Sequence, residues 1–345
     1  MNDVSPTWSD RLFVGLQYLL PQHLLSALMY RLARVRWRPL SAPLIRVFVR
    51  HFRVDMSEAL EPDLAAYPSF NAFFTRALRP AARPQPEEPQ ALACPADGGL
   101  SQFGTIEAGR LFQAKGLDYA LEDLVADPDW ARRFVGGSFA TVYLSPRDYH
   151  RVHMPAAGRL REMIHVPGRL FSVNRATASL VPRLFVRNER VVCLFEGEAG
   201  PFAVILVGAI FVGGMETVWA GEVTPARGDP PRRRYDEGAA VNLAQGAEMG
   251  RFNMGSTVIL LFPPGAVAWA AGLAPGAPLR MGQRLGRLNL GSDSGDGHLE
   301  EAAPRTAPRQ ARASGNSEGR LPAAVSTSKG SGPRRSRPAS RKRPR

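Results

Sequence analysis

A serine that follows a glycine and opens a buried strand is a candidate for nucleophilic chemistry on its own chain. Ser256 meets both conditions. Gly255 precedes it, and Thr257-Val258-Ile259-Leu260-Leu261-Phe262 follows, an apolar run halted by Pro263 and Pro264. The glycine leaves its carbonyl carbon accessible and allows backbone angles closed to other residues. Alone, Gly-Ser-Thr is also the composition of an ordinary strand-leading turn. Two further stretches hold reactive groups. Pro95-Ala96-Asp97-Gly98-Gly99 places an acid in a tight turn, where Asp-Gly is common for purely structural reasons. Tyr149-His150-Arg151-Val152-His153-Met154-Pro155 carries two of the chain's six histidines. In an extended segment His150 and His153 face opposite ways, and in a turn both line one site. A structural pair is equally consistent with this segment taken alone. No third ligand cluster accompanies them, so no metal is expected. Phe171 and Asn174, in Leu170-Phe171-Ser172-Val173-Asn174, offer an apolar wall with polar reach and are candidate substrate contacts.

The elements that must position these residues fall into three regions. Residues 1–64 carry three short apolar–basic segments and lack the basic start and apolar core of a secretory signal. Ser9 or Asp10 could cap a first helix with Leu12, Phe13, Leu16, Leu19 and Leu20 on one face, ended by Pro21. Arginines crowd the second and third segments, and charge or proline interrupts each well before the roughly 18 residues of a spanning helix. The pattern predicts helices lying on an anionic membrane surface, in preference to a helical subdomain packed on the protein's own core. Within residues 65–290, the expected catalytic domain, Pro80 to Pro89 reads as a linker or extended connection, short β-branched runs separated by Gly and Pro begin beyond Leu92, and Asp118 to Leu124 is the main helix candidate. Residues 291–345 form a low-complexity basic tail expected to be disordered. The formal charge of +13 is concentrated there, since residues 301–345 hold twelve Arg and Lys against two Glu. Cys94 and Cys193 form neither a zinc pattern nor a disulfide framework and suit a reducing compartment. The fold expected is α+β: amphipathic N-terminal helices, then a mostly β catalytic domain resembling a barrel or sandwich.

Taken in order, Phe70–Pro80, Pro95–Gly98, Tyr149–Pro155, Phe171–Asn174, Glu216–Gly221 and Met254–Thr257 resemble the bacterial phosphatidylserine decarboxylase proenzymes, a pyruvoyl-dependent family. Two departures lie outside the chemistry: Ala72 stands where an acid is common, and Met254 where a leucine is common. The tail after about residue 290 has no counterpart in the resemblance.

The resemblance implies self-cleavage between Gly255 and Ser256, with Ser256 as nucleophile, His153 as its base and Asp97 as the group that orients the base. Ser256 then becomes a covalent pyruvoyl group that takes the place of pyridoxal phosphate and forms a Schiff base with the substrate's amine. His150 is the candidate proton donor once CO2 has left, on the ground that a free imidazole titrates near 6.5. The product is phosphatidylethanolamine. The implied partners are a phospholipid substrate, an anionic membrane at its cytoplasmic side, the protein's own two cleavage chains and a second copy in a homo-oligomer. Two rival readings are weaker. A serine hydrolase using the same three residues lacks the Gly-x-Ser-x-Gly elbow around Ser256. A nucleic-acid-binding tail lacks aromatics to stack bases, so no nucleic acid is expected.

Overall fold

Val258 to Phe262 carries an apolar side chain at every position, so a strand built from it must be covered on both faces. The computed structural model describes residues 6–290 except 115, 212–213, 226–227, 229–230 and 254–255, and it places the Ser256–Phe262 strand in that setting. The strand runs antiparallel to Ser138–Leu144 on one side, with Ser256 opposite Leu144. On the other side it pairs with Gly200–Val207, Thr257 opposite Val207. The nine-stranded sheet continues outward from these three to Arg232–Arg234 at one end and Pro278–Leu279 at the other. It is an open sheet and does not close into a barrel.

Alternation along the central strand divides the core in two. Val258, Leu260 and Phe262 join one cluster with Leu100, Val142 and Phe252. Ile259 and Leu261 join another with Leu124, Phe134 and Ile205. Two smaller sheets cover the first face. One carries Met215–Thr217, Glu248–Phe252 and Arg151–His153, and the other carries Ala91–Ala93 and Arg284–Leu288. Short helices, among them Leu121–Val125 and Pro128–Phe134, cover the second face. The expected α+β class with a mostly β domain is therefore what forms, sandwich-like on one face and helix-covered on the other. The helix expected over Asp118 to Leu124 forms only from Leu121 to Val125. Leu117–Ala120 is instead a strand, and Asp118 accepts from Arg110 Nε at 2.9 Å across a two-stranded ribbon. That cross-strand ion pair competes with helix at the start of the segment.

The N-terminal helices are α1 (Trp8–Leu19), α2 (Gln22–Ala33) and α3 (Arg38–Phe52). The cap of α1 is Thr7 rather than Ser9 or Asp10. Its hydroxyl accepts from Asp10 N while the Asp10 carboxylate accepts from Thr7 N at 2.9 Å, a reciprocal capping box. A fourth helix, α4 (Phe70–Phe74), is capped by Ser69 and packs its rings around Phe48 of α3, with centroids 5.0 Å apart for Phe48 and Phe70. The way α1 and α2 dock inverts the usual arrangement. Gln17, Gln22 and Ser26 are their buried polar side chains, while Leu19 is 82% exposed and Trp8 76%. Gln17 Oε1 accepts from Ser172 N at 2.8 Å, and Gln22 Oε1 accepts from Leu170 N at 2.9 Å. Ser26 Oγ accepts from Phe211 N at 3.1 Å. Among the described residues no single helix is long and apolar enough to cross a membrane; α1 and α2 together pass by length and composition but are bent by 87°. The tail expected to be disordered lies outside the described residues.

One glycine holds the edge of the sheet to its neighbour. A Cβ at Gly98 would stand 2.2 Å from the Tyr143 carbonyl oxygen, so any side chain there forces the Gly98–Thr105 strand away from Ser138–Leu144. Gly98→Ala should lower the denaturant midpoint by the equivalent of about 1–3 kcal/mol, the usual cost of overpacking. Urea unfolding of a single-chain Ser256→Ala background, with and without the glycine change, measures this; an unchanged midpoint would mean that the strands can part freely.

Candidate active site

Ser256 is the first residue of the central strand, and the fold buries it completely. Its backbone is fixed opposite Leu144, yet among the described residues its Oγ has no hydrogen-bond partner. The same is true of several other buried polar atoms in this part of the molecule, among them His150 Nε2, Asn253 Oδ1 and the adjacent Thr257 Oγ1. Asn253 is held in place from its other side. Its Nδ2 donates to Glu216 Oε1 at 2.8 Å, and its backbone N–H donates to Gly214. Met254 and Gly255, which connect Asn253 to Ser256, lie outside the described residues.

His150 immediately precedes the Arg151–His153 strand and His153 ends it; the strand pairs with Glu248–Phe252, a short distance before Ser256 in the chain. Phe252 N donates to the His150 carbonyl at 3.0 Å. The His150 ring is fully buried against Phe74, with centroids 4.1 Å apart. Its Nδ1 lies 2.8 Å from the Asp148 carbonyl, which can only accept, so Nδ1 carries the proton and Nε2 the lone pair. Burial pushes its pKa down to about 3, with the Asp148 bond opposing and the Arg76 charge reinforcing the shift. The ring is thus neutral near pH 7, and the free-imidazole titration expected from sequence does not apply to it.

His153 is built differently. Its Nδ1 donates to the Gly246 carbonyl at 2.8 Å, and its Nε2 accepts from the Tyr149 hydroxyl at 3.1 Å. Burial lowers its pKa, while the Gly246 bond and the charges of Glu248 and Asp97 pull the other way. A neutral imidazole with its lone pair on Nε2 is a competent base.

Asp97 stands in the turn before Gly98, and the turn reaches the histidine strand through its backbone: His153 N donates to Pro95 O at 2.8 Å. The carboxylate is otherwise engaged. Arg83 grips it with both arms, Nε to Oδ1 at 2.8 Å and a terminal nitrogen to Oδ2, and Met281 N donates to Oδ1 at 2.8 Å. Arg83 also donates to Glu58 at 2.8 Å. The structure therefore brings Asp97 and His153 into one neighbourhood, but the expected Asp97–His153 hydrogen bond is not formed. Gly246 occupies the orienting position on Nδ1, and Ser256 is bonded to neither histidine.

Of the two candidate substrate contacts, Phe171 is fully buried in the helix-side core, 4.9 Å from the Tyr18 ring. Asn174 spends its side-chain oxygen on Thr177 N as the cap of the Arg175–Leu180 helix, at the edge of an apolar cleft of about 290 Å³. Among the described residues no group of three or more His, Cys, Asp or Glu could hold a metal ion. Sequence reasoning missed Arg83, Tyr149 and Gly246 as neighbours of the reactive groups. Arg83 sits in the stretch taken as an extended connection, and Gly246 is 93 positions from the histidine it holds, so neither left a local signal.

Comparison with known proteins identifies the family. The family described as phosphatidylserine decarboxylase matches residues 70–287, and a second family description, PSD, matches residues 12–53. Similar proteins include the phosphatidylserine decarboxylase proenzymes of Pseudomonas paraeruginosa, 58% identical over 81% of this chain and 98% of that protein, and of Pseudomonas entomophila, 59% identical over 80% and 97%. That of Ectopseudomonas mendocina is 58% identical over 81% and 99%. The matched segments contain Asp97, both histidines and Ser256 on an α+β frame. The chain belongs to the phosphatidylserine decarboxylase family, and with it to the carboxy-lyases.

The low pKa of His150 has a thermodynamic consequence. The folded ring refuses a proton that the unfolded chain accepts below its ordinary 6.5, so stability falls as pH drops through that value towards 3. In the Ser256→Ala protein the unfolding free energy should decline below pH 6.5, with His150 contributing at most about 1.4 kcal/mol per pH unit. The decline should be shallower in the His150→Gln version. Parallel urea titrations between pH 7.5 and 4.5 measure the difference, and equal slopes would place the unfavourable protonation elsewhere.

Proposed function

We propose that this chain cuts itself between Gly255 and Ser256, and that the resulting enzyme converts phosphatidylserine to phosphatidylethanolamine and CO2 at a membrane surface. The observation that carries the reading is the buried, unpartnered Oγ of Ser256 within the segment matched to the family. A hydroxyl left without a partner costs about 1–3 kcal/mol of stability. That cost supports a chemical use for the group.

In the first reaction Ser256 Oγ attacks the Gly255 carbonyl carbon. His153 Nε2 takes the hydroxyl proton and returns it to the departing backbone nitrogen, leaving an ester. Tyr149 must release Nε2 for this, and the Gly246 carbonyl keeps the ring in the required tautomer. Asp97, lacking a bond to the ring, acts through its charge, which favours the imidazolium that forms. Loss of the Ser256 α-proton then expels the Gly255 carboxylate. Addition of water to the dehydroalanine releases ammonia and leaves a pyruvoyl ketone. Residues 1–255 become one chain and residues 256–345 the other.

A pyruvoyl group at position 256 would supply an electron sink for the pair released with CO2. The chain's residues then handle protons. The substrate's ammonium must lose a proton before its nitrogen can react, and the carbon left by CO2 must gain one. With its pKa lowered by burial, His150 Nε2 is a poor acceptor for the first; it can deliver the second once the bound anionic substrate raises the ring's affinity for a proton. The group expected from sequence to be a ready acid becomes a carrier that must be loaded.

Membrane attachment rests on the inverted helices. Leucines of α1 and α2 and Trp8 face outward while glutamines face the protein, opposite to the pattern of a helix packed on a core. A cytoplasmic-side location fits the unpaired cysteines, both buried.

A denaturing gel and CO2 release from labelled phosphatidylserine test the chemistry together. Ser256→Ala should remain one chain and release nothing, and His153→Ala should fail to cleave. His150→Ala should yield two chains yet decarboxylate about 100-fold or more slowly. A cleaved Ser256→Ala protein, or an uncut His150→Ala protein, would sink this division of labour.

Attachment has its own test. Replacing Leu16, Leu19 and Leu24 by Ser should weaken binding to phosphatidylserine-containing vesicles about tenfold or more per leucine, while leaving the thermal midpoint unchanged. Vesicle sedimentation reads the first and calorimetry the second. Binding that persists at wild-type strength would assign the membrane contact to another face.

A further inference from the structure

Beside the Asp97 turn lies a polar cavity of about 470 Å³, lined by five arginines and four acids. Three of the acids are engaged by partners other than Arg76. Asp97 is held by Arg83, and Glu58 by Arg83 and Arg280 at 2.8 and 2.9 Å. Asp55 accepts from Ser57 N and Oγ. The fourth, Asp148, accepts from Ser145 N and Oγ and lies 3.8 Å from Arg147.

Among the five arginines Arg76 is the one that is buried, only 5% exposed, and, among the described residues, without an ion pair. Its Nε has no hydrogen-bond partner among the described residues. One terminal nitrogen reaches the Arg147 carbonyl at 3.4 Å, and the guanidinium lies 5.5 Å from the Phe73 ring centroid. Leaving a buried guanidinium without an anion is costly, because a planar five-donor group has lost its water and gained almost nothing. Two residues away in sequence, Phe74 carries the His150 ring. The cavity also shares Gly99, Tyr143 and Gly276 with the apolar cleft beside Asn174. An arginine-rich polar pocket thus adjoins an apolar one, sharing part of its wall.

The geometry points to Arg76 as the receptor for the phosphodiester of the substrate's headgroup, with the neighbouring cleft available to the apolar part of the lipid. This rests on the function proposed above and adds the residue that anchors the substrate. A phosphodiester and a carboxylate both suit a guanidinium fork, but only one placement helps the reaction. A cation on the carboxylate would stabilise the charge that must disappear as CO2 forms, and so favour the ground state. A cation on the phosphate, whose charge does not change, holds the headgroup while leaving the carboxylate in less polar surroundings.

The test uses the full-length protein at constant ionic strength with two probes, glycerophosphoserine for the headgroup and inorganic phosphate for the free anion. In Arg76→Gln the KM for short-chain phosphatidylserine should rise about ten- to hundredfold, by more than kcat falls, with partial rescue in Arg76→Lys. Glycerophosphoserine should inhibit the wild type competitively and the Arg76→Gln enzyme far more weakly. If Arg76→Gln does not mature, thermal midpoints carry the test. Glycerophosphoserine should raise the midpoint of the Ser256→Ala protein and not that of the Ser256→Ala, Arg76→Gln double variant. An unchanged KM in a matured Arg76→Gln enzyme, or equal midpoint shifts in the single and double variants, overturns the assignment. A response to inorganic phosphate alone overturns it too, and makes the pocket a site for the free anion. Absence of CO2 release by the wild type is a different failure, that of the proposed reaction itself.

Discussion

A hydroxyl with no hydrogen-bond partner at the head of a strand covered on both faces is the constraint around which this molecule is built. A free serine side chain turns to find water or a neighbour. Ser256 can do neither, because the strand that carries it is locked between Ser138–Leu144 and Gly200–Val207 and its alternate residues enter two different cores. Burying Val258 to Phe262 contributes on the order of 1.5–3 kcal/mol per large side chain, which more than offsets one unsatisfied hydroxyl. The apolar strand therefore stabilises the fold and also holds the Ser256 hydroxyl in an unfavourable state. His150 Nε2 and Asn253 Oδ1 stand in the same condition.

Much of this was legible in the sequence because it is local. The Ser256–Phe262 strand shows as an apolar β-branched run closed by two prolines. The first N-terminal helix shows in the spacing of its leucines, although its cap lies at Thr7, where Asp10 closes the box from inside the helix. Asp97, His150, His153 and Ser256 were identifiable from their stretches and the resemblance. Their relations were not. The partner of Asp97 is Arg83, from a proline-rich stretch that looks like a connection, and the partner of His153 is a backbone carbonyl, a group every residue possesses. Composition cannot distinguish one carbonyl from another. The lowered pKa of His150 was equally hidden, since it depends on the ring's burial in the folded chain.

The charged groups around the site show a division by depth. Arg83 is neutralised by two acids and ties the Asp97 turn to the residues preceding α4. Arg151 spans from Thr75 O to Glu248, joining α4's end to the strand before Ser256. These two bridges fix the frame through which the N-terminal aromatic cluster supports the histidine strand. The helical N-terminus and the β domain are thus coupled by ion pairs at the site as well as by the glutamines of α1 and α2.

Those glutamines have a kinetic implication. Gln17 and Gln22 bind the backbone of Ser172 and Leu170, in the loop that leads to Asn174 and the apolar cleft. A protein held at an interface by the outer face of the same helices would meet its lipid by lateral diffusion, in two dimensions rather than three. Its rate would then follow the surface mole fraction of substrate, and diluting the substrate with an inert lipid would slow it even at constant bulk concentration.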